Sequence, residues 1–396
     1  MPDDTTPGPA GPDASGLPPG SSSRGRRGRG RHAAPSRANR TWLIVIGIVV
    51  MCLAGAGVAL AMTSGKKKGT SSSVSVASST STTAPPGVCP LTGAPPPGGG
   101  SVPERSALAI KVDNYPQARP QSGIDKADIV FEEPVEGRIT RLVAVFQCQT
   151  PALVGDIRSA RAPDVPISDL LSHPLFVHVG GIAPVLALVK SANLTDVDLY
   201  YLGSLTQQPA GRVAPYDIYT SPAAVWAAYP TAATPPAPVF TYSSSPVGGT
   251  PAATAHIPFS STNDNTWTWN AGTDTWALAF SGEPATVSSG AQIATSNVVI
   301  MTVSVTYGPW VENEEGGLEV QAQMTGSGPV TVLRNGQQIT GTWSRPSLGS
   351  PMTLTSSTGQ VIALNPGQTW VEIVPNYVTV TITPPASTTT STSSAH

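Results

Sequence analysis

The chain has 396 residues, of which 39 are Gly and 41 are Pro, and only 12% of its residues are charged. So many Gly and Pro residues interrupt regular structure, which excludes a single compact globule. The formal net charge is −2, and the last 150 residues contain no Lys. The sequence therefore does not predict the basic surface of a nucleic-acid-binding protein, and we expect no such partner.

An uncharged apolar run covers residues 42–62, and its 21 residues would span about 30 Å as a helix, the thickness of a bilayer core. The run therefore predicts a single transmembrane helix and a membrane-bound protein. Seven Arg precede it and three Lys follow it, so the positive-inside rule places residues 1–41, a disordered Arg-rich tail, in the cytoplasm. Cleavage as a signal peptide after Ala61 is the alternative. Lipidation at Cys52 is disfavoured, because the bulky Met51 precedes it.

A Ser/Thr-rich segment, residues 63–88, follows the predicted span and has the composition of a flexible stalk. Residues 384–396 have the same character and are expected to form a disordered tail. Outside the span the cysteines are Cys89 and Cys148, and an oxidising exterior permits a disulfide between them. Two unpaired core thiols are the alternative.

Apolar runs alternate with helix-like stretches in residues 89–230, which predicts an α/β domain with a mixed sheet. Gly137 separates two runs closely enough for a hairpin. We expect strands at 107–112, 128–135, 140–147, 153–157 and 175–181, and helices at 165–172, 183–193 and 221–229.

Residues 231–383 change to short alternating runs separated by turn residues, which predicts a mainly antiparallel β domain. Asn335-Gly336 lies between two such runs and is a strong hairpin signal. The fold class is therefore α+β. Six of the eight Trp lie in this half, where they fill a core or stack on sugars. Trp267 and Trp269 share one strand face and are the pair expected to be exposed.

Charge is concentrated between Glu104 and Arg161, where 16 of 58 residues are charged. Arg158 and Arg161 flank Ser159 and can present two guanidinium groups and a hydroxyl to a phosphate or carboxylate. Alternatively, the arginines pair with Glu132, Glu133 or Glu136 and hold strands together. The candidate ligand-binding residues are Asp113, Asn114, Arg119, Glu136, Arg141, Arg158, Ser159, Arg161 and His178.

Several long segments carry a family resemblance: VDNYPQARPQSGIDKADIVFEEPVEGRITRLVAVFQ, GDIRSAR, FVHVGG and APYDIYTS in the first half, and NVVIMTVSV, GSGPVTVLRNGQQITGTWSR and LNPGQTWVEIVP in the second. Together they resemble the YerB-like family of bacterial envelope lipoproteins, for which no reaction is established. Cys89-Pro-Leu-Thr-Gly resembles the family's entry motif. The resemblance implies an N-terminal domain at 89–230, a C-terminal domain at 231–383 and an extracytoplasmic location at the membrane.

Two features depart from the family pattern: a membrane span replaces the lipidated Cys, and Tyr216-Asp217 stands where relatives often carry His-Asn. Metal-ligand spacing is absent, so we expect no metal and no cofactor.

Three functions remain open. The first is a non-enzymatic protein that binds an anionic cell-wall or lipid-linked ligand, or a protein partner. The second is an envelope hydrolase or transferase that uses Asp113, Glu132 or Glu136 as acid/base and the arginines as clamps. The third is a structural scaffold.

Overall fold

The structure, a computed structural model, describes residues 87–245 and 248–386. The predicted cytoplasmic tail, the predicted span at 42–62 and nearly all of the stalk lie outside these residues, as do residues 387–396. No helix within the two described ranges is long and apolar enough to cross a membrane. The described chain is mostly β-structure with a few short helices.

The first half supplies strands close to those predicted, with ends that shift by one to three residues, although only Val154–Gly155 of the predicted strand at 153–157 forms a strand. Two short strands, at Thr195–Asp198 and Tyr219–Thr220, were not predicted. The described elements are β1 (Leu108–Asp113), β2 (Ile129–Pro134), β3 (Thr140–Phe146), β4 (Val154–Gly155), α1 (Asp164–Asp169), β5 (Leu175–His178), α2 (Ala183–Ser191), β6 (Thr195–Asp198), β7 (Tyr219–Thr220) and α3 (Pro222–Ala228).

The second half consists of strands and turns. Asn335 and Gly336 have φ of 50° and 67° and form the predicted hairpin turn between the strands Gly326–Arg334 and Gln337–Arg345. The strands are β8 (Thr250–Pro251), β9 (Thr254–Pro258), β10 (Asp264–Asn270), β11 (Thr275–Phe280), β12 (Glu283–Pro284), β13 (Ala294–Thr295), β14 (Asn297–Val303), β15 (Val305–Val311), β16 (Leu318–Ala322), β17 (Gly326–Arg334), β18 (Gln337–Arg345), β19 (Thr353–Ser356), β20 (Thr369–Pro375) and β21 (Thr381–Thr383).

One main sheet contains strands from both halves, which the sequence did not predict. Its order is β19-β18-β17-β14-β20-β2-β3-β1-β5-β6, with β8 beside β18. β20 runs parallel to β14 on one side and to β2 on the other, so the last long strand joins the halves. A second sheet has the order β12-β11-β10-β9-β21, with β13 beside β11, and β15 and β16 form a separate hairpin.

Both faces of the main sheet are covered, so its central strands are buried along their whole length. On one face, Ala109 and Val143 share a core with Ile167 of α1 and Val185 of α2. On the other face, alternate residues of the same strands pack against Ala255, Trp267 and Leu278 of the second sheet. A buried strand reads as a continuous apolar run, which explains why β1, β2 and β3 were predictable.

Trp267 and Trp269 do not form the expected exposed pair. Trp267 is fully buried, and its ring lies 5.5 Å from that of Trp370, because β10 directs it into the core between the two sheets. Trp269 lies farther along the strand and stays half-buried at the edge of this core.

Cys89 and Cys148 are joined by a disulfide with a sequence separation of 59 residues. On the chain-entropy account, closing a loop of this length stabilises the fold by about 4 kcal/mol. We predict that the Cys89→Ala/Cys148→Ala variant loses about this free energy of unfolding in urea titrations. Reduced wild type should match the variant, and equal midpoints for oxidised wild type and variant would contradict the prediction.

Candidate functional site

Polar side chains are buried on both faces of the main sheet where β1 and β2 end. Side chains alternate between faces along a strand, so Lys111 and Glu133 lie on the helix-covered face and Glu132 lies on the face toward the second sheet. Charges buried in this way must be paired or hydrogen-bonded. Their partners therefore decide which of the predicted residues are free to bind a ligand.

The arginine cluster, formed by Glu136, Arg141 and Arg161, is an internal ion-pair network. Arg161 Nε lies 2.7 Å from Glu136 Oε2, and Arg161 Nη2 binds Glu136 Oε1. Arg141 Nη2 lies 3.4 Å from the same Oε1 and Nη1 donates to the carbonyl oxygen of Ser159. Burial alone would raise the pKa of Glu136, but the two guanidinium groups hold it at about 2. Glu136 is therefore an ionised partner and not a proton donor at neutral pH.

The β15–β16 hairpin closes the arginine cluster with two further carboxyl groups. Glu312 Oε2 lies 3.2 Å from Arg161 Nη1, and Glu319 Oε1 accepts a 2.7 Å hydrogen bond from the Ala162 amide. Burial and a hydrogen bond with Glu312 raise the pKa of Glu319 to about 9. Glu319 is therefore protonated at neutral pH and tolerates its carboxylate neighbour.

Lys111, Glu133 and Asp164 form a fully buried triad beside this cluster. Lys111 Nζ donates to Glu133 and, at 2.8 Å, to Asp164 Oδ1. Asp164 also accepts a hydrogen bond of 2.6 Å from the Arg161 amide. Burial and the charge of Asp164 raise the pKa of Glu133 to about 8 in spite of Lys111. The triad holds α1 against the sheet.

Glu132 and Glu372 form a carboxyl pair on the opposite face, where β2 and β20 are in register. Trp267 Nε1 donates to Glu372 Oε1 at 2.7 Å and Asn265 Nδ2 donates to Glu132 Oε2 at 2.9 Å. Burial raises the pKa of both carboxyl groups, and the proximity of Glu132 raises that of Glu372 further. Neither carboxyl group contacts solvent. Because Asn265 and Trp267 belong to the second sheet, their hydrogen bonds to the pair connect the two sheets.

Asn114 and Arg119 form a neighbouring network. Asn114 Nδ2 donates to Glu132 Oε1 and Thr140 Oγ1. Arg119 donates to Asn114 and to the carbonyl oxygen of Thr262, and its guanidinium lies 3.6 Å from the Phe280 ring centroid. Burial lowers the pKa of Arg119 to about 10. Arg119, which the sequence predicted to contact a ligand, instead joins the end of β1 to the second sheet.

Asp113, Asp156 and Arg158 form a third charged group at the end of β1. Arg158 Nε lies 2.7 Å from Asp113 Oδ2, and the Arg158 side chain is 26% exposed. Asp156 is fully buried, and within the described residues neither of its carboxylate oxygens has a hydrogen-bond partner. Burial and the Asp113 charge raise the pKa of Asp156 to about 7. A carboxyl group in this range exchanges protons near neutral pH.

His178 lies apart from these groups at the end of β5. Its Nδ1 is 2.9 Å from the Gly180 carbonyl oxygen and its Nε2 is 2.8 Å from Asp196 Oδ1. Burial alone would lower the pKa of His178, but these bonds outweigh burial and raise it. The residue connects β5 to β6 and does not join the predicted arginines.

A cleft of about 390 Å³ opens beside the arginine cluster, where the β2–β3 turn meets the hairpin. Gly137 and Arg138 both have positive φ, 73° and 59°, and turn the exposed Arg138 to the cleft. The walls of the cleft are mostly apolar or aromatic and include Val135, Phe259, Tyr307, Leu318 and Tyr377. Tyr307 and Tyr377 are 54% and 56% exposed and their hydroxyls lie 2.8 Å apart, so this wall is accessible to a ligand.

Of the residues that line this cleft, sequence reasoning selected Glu136 alone. Arg138 follows Glu136-Gly137 in a predicted hairpin turn, and that position was its one signal. Tyr307, Leu318 and Tyr377 are distant in sequence and reach the cleft through the packing of β16 beside β2 and the β20–β2 pairing. No periodicity or spacing links them.

Comparison with known proteins assigns the chain to a family. Residues 91–234 match the family "Protein of unknown function (DUF3048) N-terminal domain", and residues 255–371 match its C-terminal domain. The chain is 41% identical over 121 residues to "Putative lipoprotein YerB" of Bacillus subtilis strain 168; the match spans 30% of this chain and 36% of that protein. The crystal structure of YerB from Bacillus subtilis superposes with a TM-score of 0.63 at 26% identity, covering 74% of this chain and 99% of that one.

We predict that Glu136→Gln lowers the free energy of unfolding by about 3 to 5 kcal/mol at pH 7, because buried Arg141 loses its ion-pair partner and buried Arg161 keeps only Glu312. The folded pKa of about 2 lies below the unfolded value, so the contribution is complete above about pH 5 and is lost as the pH falls toward 2. Urea titrations at pH 7 and near pH 2 measure this loss of free energy of unfolding. The exposed Glu283→Gln is the control, and equal losses in the two variants would contradict an internal ion pair.

Asp156 has a folded pKa above its unfolded value, so the folded state binds more protons between about pH 4 and 7. Its stabilising contribution is therefore present at low pH and is lost as the pH rises through 7. We predict that Asp156→Asn gains stability relative to wild type as the pH rises from about 4 to 8, by up to about 4 kcal/mol. Unfolding titrations across this range measure the gain. A difference between variant and wild type that does not change with pH would show that folding leaves the pKa of Asp156 unchanged.

Proposed function

Because the chain belongs to the DUF3048 family, and its relative in Bacillus subtilis carries a lipoprotein name, we propose that it works in the cell envelope. Residues 42–62 hold it to the membrane in this proposal, and the folded part described above lies outside the cytoplasm. The excess of Arg before this segment supports that orientation.

We further propose that the protein binds an anionic envelope ligand in the cleft at Arg138. Among residues 87–245 and 248–386, Arg138 is the one arginine whose guanidinium makes no hydrogen bond or ion pair. It is exposed and lines a cleft with apolar and aromatic walls. An exposed guanidinium beside such walls suits an anionic group that is carried on an apolar body.

The arginines predicted from sequence fit this role less well. Arg141 and Arg161 are buried against Glu136, and Arg119 uses its donors on Asn114 and Thr262. A ligand would have to displace a buried carboxylate to reach Arg161, which leaves that carboxylate without a partner. Arg158 is partly exposed but already pairs with Asp113.

The test is thermal unfolding of the full chain in lipid nanodiscs with geranyl pyrophosphate, geraniol or inorganic pyrophosphate. A ligand at a hundred times its dissociation constant adds about 2.7 kcal/mol, which raises the midpoint by roughly 5 °C. We expect geranyl pyrophosphate to give this shift and Arg138→Glu to abolish it. Lys190→Glu, an exposed charge reversal on α2, is the matched control.

A shift that persists in Arg138→Glu would contradict the assignment of the cleft, and the absence of any shift in wild type would contradict this ligand chemistry. Release of phosphate by wild type would instead support the alternative of an envelope hydrolase. Asp156, with its pKa of about 7 beside Asp113 and Arg158, is the residue that favours that alternative, and Asp156→Asn should then abolish the release.

A further inference from the structure

A second cleft, of about 540 Å³, lies at a different place on the molecule. It forms where the β10–β11 turn meets the Asn335-Gly336 turn and the segment that precedes β20. The residues that give it its chemistry are Trp269, Asp274, Thr275, Ser296, Asn335 and Asn365. None of its lining residues is cationic, which distinguishes it from the cleft at Arg138.

Trp269 supplies a large ring that the fold holds in one position. The ring lies 5.4 Å from the ring of Trp276, measured between centroids. On another side it packs on Gly336, where a Cβ atom would come within 2.7 Å of Trp269 Nε1. The indole is half-buried, so part of its surface faces the cleft. A fixed aromatic surface of this kind accepts C–H groups against its π face.

The polar groups around Trp269 are mostly neutral donors and acceptors. The amide groups of Asn335 and Asn365 hydrogen-bond to each other, which orients both. The hydroxyls of Thr273 and Thr275 lie 2.7 Å apart. Asp274 is exposed at the tip of the turn with φ of 52°. Such groups can donate to and accept from the hydroxyls of one ligand.

We infer that this cleft binds a neutral carbohydrate. The apolar face of a pyranose ring would lie on Trp269, and its hydroxyls would bond to Asp274, Asn335 and Asn365. An anion is disfavoured, because the single formal charge on the lining residues is the Asp274 carboxylate. This site goes beyond the proposed function and does not depend on it, since Arg138 lies in a separate cleft.

The test is to titrate the full chain with two hexasaccharides, β-1,4-linked N-acetylglucosamine and cellohexaose. Binding is monitored by Trp fluorescence and by saturation-transfer NMR. The protein is kept in nanodiscs, because many detergents carry sugar headgroups. We expect saturable binding of at least one hexasaccharide, a loss of at least tenfold in affinity for Trp269→Ala and a loss of about threefold for Asp274→Asn.

Trp310→Ala removes a partly exposed Trp outside the cleft and should leave the affinity within twofold of wild type. Arg138→Ala should do the same, so failure of this site and failure of the proposed function remain distinguishable. If Trp269→Ala does not fold, Asp274→Asn decides the question, because Asn tolerates the positive φ of that turn position. No binding of either hexasaccharide by wild type, or an unchanged affinity in Asp274→Asn and Trp269→Ala, would overturn the inference.

Discussion

The parallel pairing of β20 with β2 is the constraint on which the rest of the molecule depends. β20 is buried along all seven residues and forms hydrogen bonds with a strand of each half. A strand in this position leaves neither half of the sheet with an open edge there, which removes a site of aggregation. It also sets the register that brings Glu132 beside Glu372.

That register requires two buried carboxyl groups to lie side by side, and the second sheet supplies the groups that make this tolerable. Asn265 and Trp267 of the second sheet donate hydrogen bonds to the pair, and Trp370 of β20 donates a further one. Burying a polar group is costly unless its bonds are made, so these contacts orient the second sheet over the main one. On the opposite face, the arginine cluster has the same role for the β15–β16 hairpin. The cleft at Arg138 therefore lies on a packed scaffold and not on an isolated loop.

The predictable and unpredictable parts of the structure differ in the range of the interactions that determine them. β1, β2 and β3 are buried on both faces and read as apolar runs, and the Asn335-Gly336 turn is a local signal. The pairing of β20 with β2 joins distant segments, and no local pattern in Ile129–Pro134 specifies its partner. Arg161 illustrates the same limit at the site: a ligand contact and an internal ion pair require the same residue type, and only the position of Glu136 distinguishes them. The clefts at Arg138 and Trp269 combine distant segments, so residue spacing did not reveal either cleft, although the sequence singled out Glu136 and Trp269 individually.

The disulfide has a mechanical consequence. Tension that enters the folded part from the residues before Cys89 passes through the sulfur bridge directly to Cys148, just after β3. The residues between the two cysteines, which include β1, β2 and β3, are bypassed by this covalent path. A pull on the tether therefore continues along the chain after Cys148, and the register of β2 with β20 is shielded from that force.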